Sequence, residues 1–508
     1  MIRKIKYYIL LIAVTLSTAS CLDKYPEDAI QTDKAITTVE EANQLVIGIY
    51  AQFKNPYLYS GSLTLLPDIQ SDLVYAVEGY SNIYGDIWRW ETLSTSAEVA
   101  GVYGALNAVV GKCNFLLEKV AVLEKNVNDD DYERLQAYKG EAYFARALAY
   151  SELIKLFCKA YDPKTAADEL GVVLSSSYSE SPVLKRASLK DSYQFVLDDL
   201  AKAEEYLKVD EDDDSTLYNL PYFSEYTVHA LYARVYLYMK DWQKAIEHAS
   251  KVIDDKKFQL ASTTKEYMSG TSYFRYMWQY DQSTEIIWKV GFTTTSYGGR
   301  LGQVFFNAIG SNYKPDYVPA EWALNLYAAT DLRASTYFVN AQTSYTHHLT
   351  WPLLAKYFGN QTFLDMNMYH ICMPKVFRLA EQYLIRAEAY CRLEDNPQFG
   401  KASDDLTTLL KSRYESLGSI SVTKDNWFNT INEERVKELF MEGFRLQDLK
   451  RWGADKLING FTRKPQTNSL SIGSSLKVDA FNPLFVWPIP QHELDIPGSQ
   501  IEPNESNR

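Results

Sequence analysis

The sequence is poor in the residue types that most chemistry needs. Five cysteines and six histidines are scattered through 508 residues, and no two cysteines stand in CxxC spacing. Neither a zinc cluster nor a thioredoxin-type pair is therefore indicated. There is no GxSxG, no HExxH and no phosphate-cradling glycine loop, and the adjacent pair His347-His348 reads as solvent-exposed. Acyl transfer, zinc hydrolysis and nucleotide chemistry are left without residues to carry them. A carboxylate pair for glycoside hydrolysis depends on a separation that exists only in the fold. The chain is read as a non-enzyme with no cofactor and no metal. Excess positive charge is missing as well: the formal net charge is −13. An acidic surface repels polyanions, which argues against nucleic acid as a partner.

A long hydrophobic run is also absent. The longest, Tyr7 to Leu16, is too short to span a bilayer. It follows basic residues Arg3, Lys4 and Lys6 and precedes small residues and Cys21, so 1–20 reads as a cleaved export signal. Cys21 is then the lipid attachment site, although Thr18 stands where a typical lipobox has Leu; an ordinary secreted protein with an incidental Cys21 is the other reading. Several acyl chains would anchor the protein firmly, because each buried methylene contributes about 0.8 kcal/mol. Cys113, Cys158, Cys372 and Cys391 sit in apolar contexts that suit buried thiols, while export also permits disulfides.

What the chain does have is apolar surface, 46% of residues, arranged at helical spacing. Glu225 to Asp254 reads as two helices around Lys240-Asp241-Trp242, with Ala233 and Tyr236 on one and Ala245, Ala249 and Val252 on the other. Small residues facing rings let helices pack closely, as in a tetratricopeptide unit, which needs neighbours of its own kind to bury its face. A second copy carries Ala387 and Tyr390, then Ala402, Leu406 and Leu409. A third runs from Arg134 to Phe157 and resumes at Leu189 to Leu207. The fold predicted is mainly α, a tetratricopeptide-like scaffold with long irregular insertions forming a second lobe.

In order, 21–37 is a polar tether, and a capping box at Thr38 opens the scaffold over 38–255. Helical periodicity dissolves into an aromatic loop insertion over 56–98. The acidic run Glu211 to Asp214 lacks the ligand spacing of a calcium loop and reads as linker. An irregular lobe covers 256–374, and helices return over 375–453. In the helix read from Asn432 to Trp452, Arg435 with Glu438, Glu442 with Arg445, and Arg445 with Asp448 are each three apart and form a structural ion-pair ladder. The remaining 454–508, with Phe485-Val486-Trp487-Pro488, wraps back onto the body.

Together these pieces resemble the SusD/RagB family of outer-membrane lipoproteins. The resemblance rests on the Cys21 leader, GEAYFARALAYSELIKLF, DWQKAIEHASKVI, RLAEQYLIRAEAY, EERVKELFMEGFRLQDLKRWG and FVWPIPQHEL. The closing DIPGSQIEPNESNR lacks the asparagine-rich pattern common in the family. The resemblance implies a cell-surface protein, lipid-anchored in the outer membrane, that captures glycan for a SusC-like TonB-dependent transporter. The RagB-like branch would instead take peptide or protein.

Aromatics outside helical periodicity are the candidates for ligand contact. Asn82, Tyr84, Asp86, Trp88, Arg89 and Trp90 put rings beside a carboxylate and a guanidinium in one loop, as a shallow sugar platform requires. The same tryptophans could instead seal the loop onto the scaffold. In the second lobe the candidates are Trp278, Tyr280, Tyr297 and Arg300, with Gly298-Gly299 as a mobile lip or an ordinary turn.

Overall fold

A computed structural model describes residues 36–178, 184–208, 218–309, 312–344, 350–464 and 476–507. The leader, Cys21, Glu211 to Asp214 and His347-His348 lie outside the described residues.

Helix α1 (Val39–Gln52) begins at the capping box: Thr38 accepts from the Glu41 amide, and the Glu41 carboxylate accepts from the Thr38 amide at 3.0 Å. Helix α2 (Ser62–Gln70) corrects the loop reading of that stretch. Every residue in it is buried, so it shows no polar face and no amphipathic period in the sequence. Helices α3 (Ala97–Leu123), α4 (Asp129–Phe157) and α5 (Leu189–Tyr206) pack in succession, each opened by a Ser or Asn cap. Three aspartates in the first turn of α4 complement its dipole.

The repeat hairpin follows as α6 (Glu225–Met239) and α7 (Trp242–Asp254). Lys240 turns the chain in a left-handed conformation, and Asp241 caps α7 through the Lys244 amide. Ala233, Ala245, Ala249 and Val252 are fully buried at the contact. Helix α8 (Tyr273–Tyr280) belongs to the inserted lobe, whose strands pair only two by two among the described residues. Lys375–Arg378 is a strand antiparallel to Ile286–Lys289, not the start of a helix. Scaffold helices then resume as α9 (Leu379–Arg392), which packs on α7, and α10 (Phe399–Lys411).

The helix read from Asn432 to Trp452 is in fact two, α11 (Trp427–Glu438) and α12 (Arg445–Ala454). Met441 and Gly443 both adopt positive φ between them. The start of α12 is capped from afar by Asp68 of α2, which accepts from the amides of Gly443 (2.9 Å) and Arg445 (2.8 Å). The ladder of pairs three apart is corrected with it. Arg435 pairs with Asp448 at 2.7 Å and Arg445 with Asp72 at 2.8 Å. Glu442 takes Arg378 and Lys356, and Glu438 takes Arg333, Arg378 and Arg413 at 2.8–3.0 Å. The break sends these side chains into the tertiary interface instead of along one helix face.

The end of the chain is clasped by side chains. Trp487 is fully buried and donates to Gln70 Oε1 at 2.8 Å. Asn504 donates to the carbonyls of Phe157 and Trp487, and Asn507 to that of Ile489. All four described cysteines are buried free thiols.

Glu438 is buried among three guanidiniums. Burial opposes its charge, but Arg413, Arg378 and Arg333 outweigh burial and hold the carboxyl well below the usual range. Removing its charge strands buried cations, so Glu438→Gln is expected to cost about 3–5 kcal/mol of stability in urea unfolding. A second expectation concerns His229 and His248, whose Nδ1 atoms lie 3.2 Å apart inside the repeat hairpin, with Glu225 and Glu204 facing His229 Nε2. Burial pushes both histidines down to about 4. The unfolded chain protonates them near their ordinary value, so their stabilisation is complete above about pH 6.5 and is lost as pH falls toward about 4. Urea unfolding at pH 7 and pH 5 should show the wild type losing more stability than a His229→Gln/His248→Gln variant, by up to about 1.4 kcal/mol per pH unit per histidine.

Candidate ligand-binding site

The early loop does assemble its polar candidates. Arg89 donates to Asn82 Oδ1 and to Tyr80 Oη, both at 2.8 Å, and pairs with Asp86 and with Glu91. Asn82, Tyr84 and Trp90 all have positive φ, which folds this short segment tightly. The rings point elsewhere. Trp88 is 9% exposed, donates to the Val74 carbonyl and carries the Arg463 guanidinium over its face at 4.4 Å. Trp90 is 7% exposed, donates to the Gln70 carbonyl at 2.6 Å and packs against Phe485 and Phe461. Both indoles close the loop onto α2 and the C-terminal segment, and Tyr84 is half-buried beside them.

In the lobe, Trp278 is 4% exposed, with the Lys356 and Lys375 ammonium groups 4.1 and 4.6 Å from its ring centre. It borders a small cavity of about 30 Å³, room for a water and not for a sugar, and on another side a larger cleft. Tyr297 and Arg300 are exposed. Between them Gly298 and Gly299 press on Ser60, whose Oγ accepts from the Gly299 amide at 2.9 Å. A Cβ on Gly298 would fall 2.5 Å from that Oγ and 2.7 Å from the Lys54 carbonyl oxygen, so the glycines serve a close approach.

The cleft that could hold a ligand lies in the lobe from which Trp278 was chosen, and Trp278 is one of its lining residues; the rest of the lining was not foreseen. The cleft has a volume of about 450 Å³ and lies between α8, the strand Phe338–Gln342 and the segment from Ala355 to Leu364. That is within the usual range for small-ligand sites. Helix α8 builds it by dividing its residues among three directions. Phe274, Met277 and Trp278 go into the core of the lobe, with Trp278 also bordering the cleft. Arg275 and Gln279 line the cleft, opposite Phe338, Asn340, Phe358 and Gln361. Tyr273, Tyr276 and Tyr280, spaced by three and four, lie along the remaining face. There Tyr267 stacks on Tyr276 with ring centres 3.8 Å apart, and Tyr276 on Tyr280 at 4.5 Å. Tyr267 and Tyr273 are 50% and 44% exposed. Tyr280, chosen from sequence, belongs to this stack; reading YFRYMWQY as a helix would have added Tyr273 and Tyr276, but not Tyr267, which comes from the strand Glu266–Met268. No cluster of three or more metal-ligating side chains occurs among the described residues.

A helical repeat scaffold carrying an irregular lobe with an open aromatic cleft defines the class. The chain belongs to the SusD family. The model described as SusD family matches residues 188–499, and one described as starch-binding associating with outer membrane matches 21–237. SusD-like protein P2 of Formosa agariphila is 24% identical over 255 residues, 50% of this chain and 47% of that protein. SusD-like protein P38 of the same organism is 24% identical over 346 residues, 62% of this chain and 66% of that protein. The alignments thus span about half and just under two thirds of these relatives. Among solved structures, a SusD superfamily protein from Bacteroides thetaiotaomicron superposes with a TM-score of 0.75 at 23% identity, covering 92% of this chain and 99% of that one. A surface glycan-binding protein A from Bacteroides fluxus gives 0.68 at 20%, covering 92% and 100%. At these identities the likeness is one of fold.

Because the loop indoles are buried and hydrogen-bonded, Trp88→Ala and Trp90→Ala should each cost about 3–5 kcal/mol in urea unfolding. An unchanged unfolding midpoint would show that the rings do not hold the loop.

Proposed function

We propose that this chain is a cell-surface lipoprotein, anchored through Cys21, that captures oligo- or polysaccharide and passes it to a SusC-like TonB-dependent transporter in the outer membrane. The observation that carries the capture step is the stacked, outward tyrosine face of α8 beside the cleft. Sugar rings present apolar C–H faces to aromatic rings, and Arg275, Gln279 and Asn340 offer hydrogen bonds to hydroxyls. Among the described residues no carboxylate lines the cleft, so none there supplies the paired acids of glycoside hydrolysis. Binding without turnover is what such a lining supports. Membership of the SusD family supports the anchoring and the transporter partner, and the names of structures with this fold, a putative sugar binding protein from Bacteroides vulgatus among them, support the ligand class. Asn82, Asp86, Arg89, Tyr297 and Arg300 are accessible polar or aromatic groups available to a longer chain outside the cleft.

Calorimetry of the full-length protein in mild detergent, against a polysaccharide panel and against peptide mixtures, tests this reading. Saturable glycan binding is expected, weakened roughly tenfold in a Tyr267→Ala/Tyr273→Ala variant whose thermal midpoint is unchanged, since both rings are exposed. Binding to peptides alone would replace it with the RagB-like function.

A further inference from the structure

The charge of the cleft runs against the charge of the chain. The protein is acidic overall, yet among the described residues the lining of the cleft contains Arg275 and Lys356 and not one Asp or Glu. Lys356 is already committed: its ammonium donates to the Phe440 carbonyl at 2.9 Å and to Glu442 at 2.6 Å, and it is buried beneath Trp278. Asp365, just past the lining segment, accepts from the Gln361 amide at 2.7 Å.

Arg275 is different. One terminal nitrogen donates to the Ser335 carbonyl at 2.8 Å, which fixes the guanidinium at the wall of the cleft. It forms no ion pair among the described residues, and its remaining N–H groups are uncommitted there. Most interior arginines, Arg333, Arg378, Arg413 and Arg451 among them, are matched to carboxylates, while Arg186 and Arg463 donate to backbone carbonyls in the core; Arg275 stands at a cleft instead, where its remaining N–H groups can meet an anion from outside. Around it, Gln279, Asn340 and Gln361 supply neutral hydrogen-bonding groups, and Phe338 and Phe358 supply apolar walls. That combination suits a ring bearing one negative group better than a free inorganic anion, which would leave the aromatic walls unused.

We propose that the cleft selects a saccharide unit carrying a carboxylate or sulfate, with Arg275 as its anchor. This rests on the capture reading above and narrows the ligand class. The general acidity of the surface does not forbid it, because at physiological salt charges beyond about 8 Å are largely screened and the lining governs a bound unit.

The test is affinity electrophoresis of the full-length protein in gels containing polygalacturonate, alginate, chondroitin sulfate or carrageenan, and in gels containing methyl-esterified pectin, starch or xylan. Retardation by at least one anionic polymer is expected, with its neutral counterpart inert. Arg275→Gln should weaken that binding about 10- to 100-fold while the thermal midpoint stays unchanged. Binding confined to neutral polymers, or anionic binding indifferent to Arg275→Gln, would overturn the charge selection and leave glycan capture standing. Retardation by none of the polymers would count against both.

Discussion

The rest of the structure depends on one buried cluster of guanidinium and carboxylate groups. Glu438 at the end of α11 meets Arg413 from beyond α10, Arg378 from the strand before α9, and Arg333 from the lobe; Glu285, next to the partner strand, meets Arg378 and Arg413. Removing such charges from water costs several kcal/mol per ion, and mutual attraction compensates only where every partner is in place. A displaced lobe would leave buried charges unmatched. By this reasoning the cluster fixes how the lobe sits on the repeats, more than it adds net stability. Apolar packing, which tolerates sliding, could not impose that register alone.

The cleft follows from that docking. Lys356 reaches from the lobe to Glu442 and the Phe440 carbonyl in the break between α11 and α12, and in doing so lies over Trp278. Trp278 is thereby held in the core, which sets the rotation of α8 about its axis. With that rotation fixed, Arg275 and Gln279 face the cleft and the tyrosines face outward. Trp278, chosen for its ring, thus has a structural task at the wall of the cleft, while its neighbours on the same helix form the more accessible surface.

Much of the scaffold was legible because its signals are local. The capping box at Thr38, the Lys240-Asp241 turn and the small-residue contacts at Ala233, Ala245 and Ala249 depend on residues three to four apart, and each appears in the structure. Helix α2 was not legible, since a helix buried on every side has no polar face to set its period. The site was harder still. The sequence placed Trp88 and Trp90 in an aromatic loop but could not show that Val74, Gln70, Phe485 and Arg463 would cover them. The tyrosine face of α8 was within reach of helical spacing, whereas the cleft beside it joins residues from Arg275 to Leu364 and has no local signature.

By itself, then, the sequence determined the helical class, the repeat hairpins and the family, because these rest on periodicity and on contiguous motifs. Tertiary structure alone decided which charges pair, where Asn432 to Trp452 breaks, and which rings meet solvent. Those outcomes turn on groups far apart in the chain, such as Asp68 with Gly443 and Glu438 with Arg333, whose energies depend on burial and on partners that no local pattern encodes.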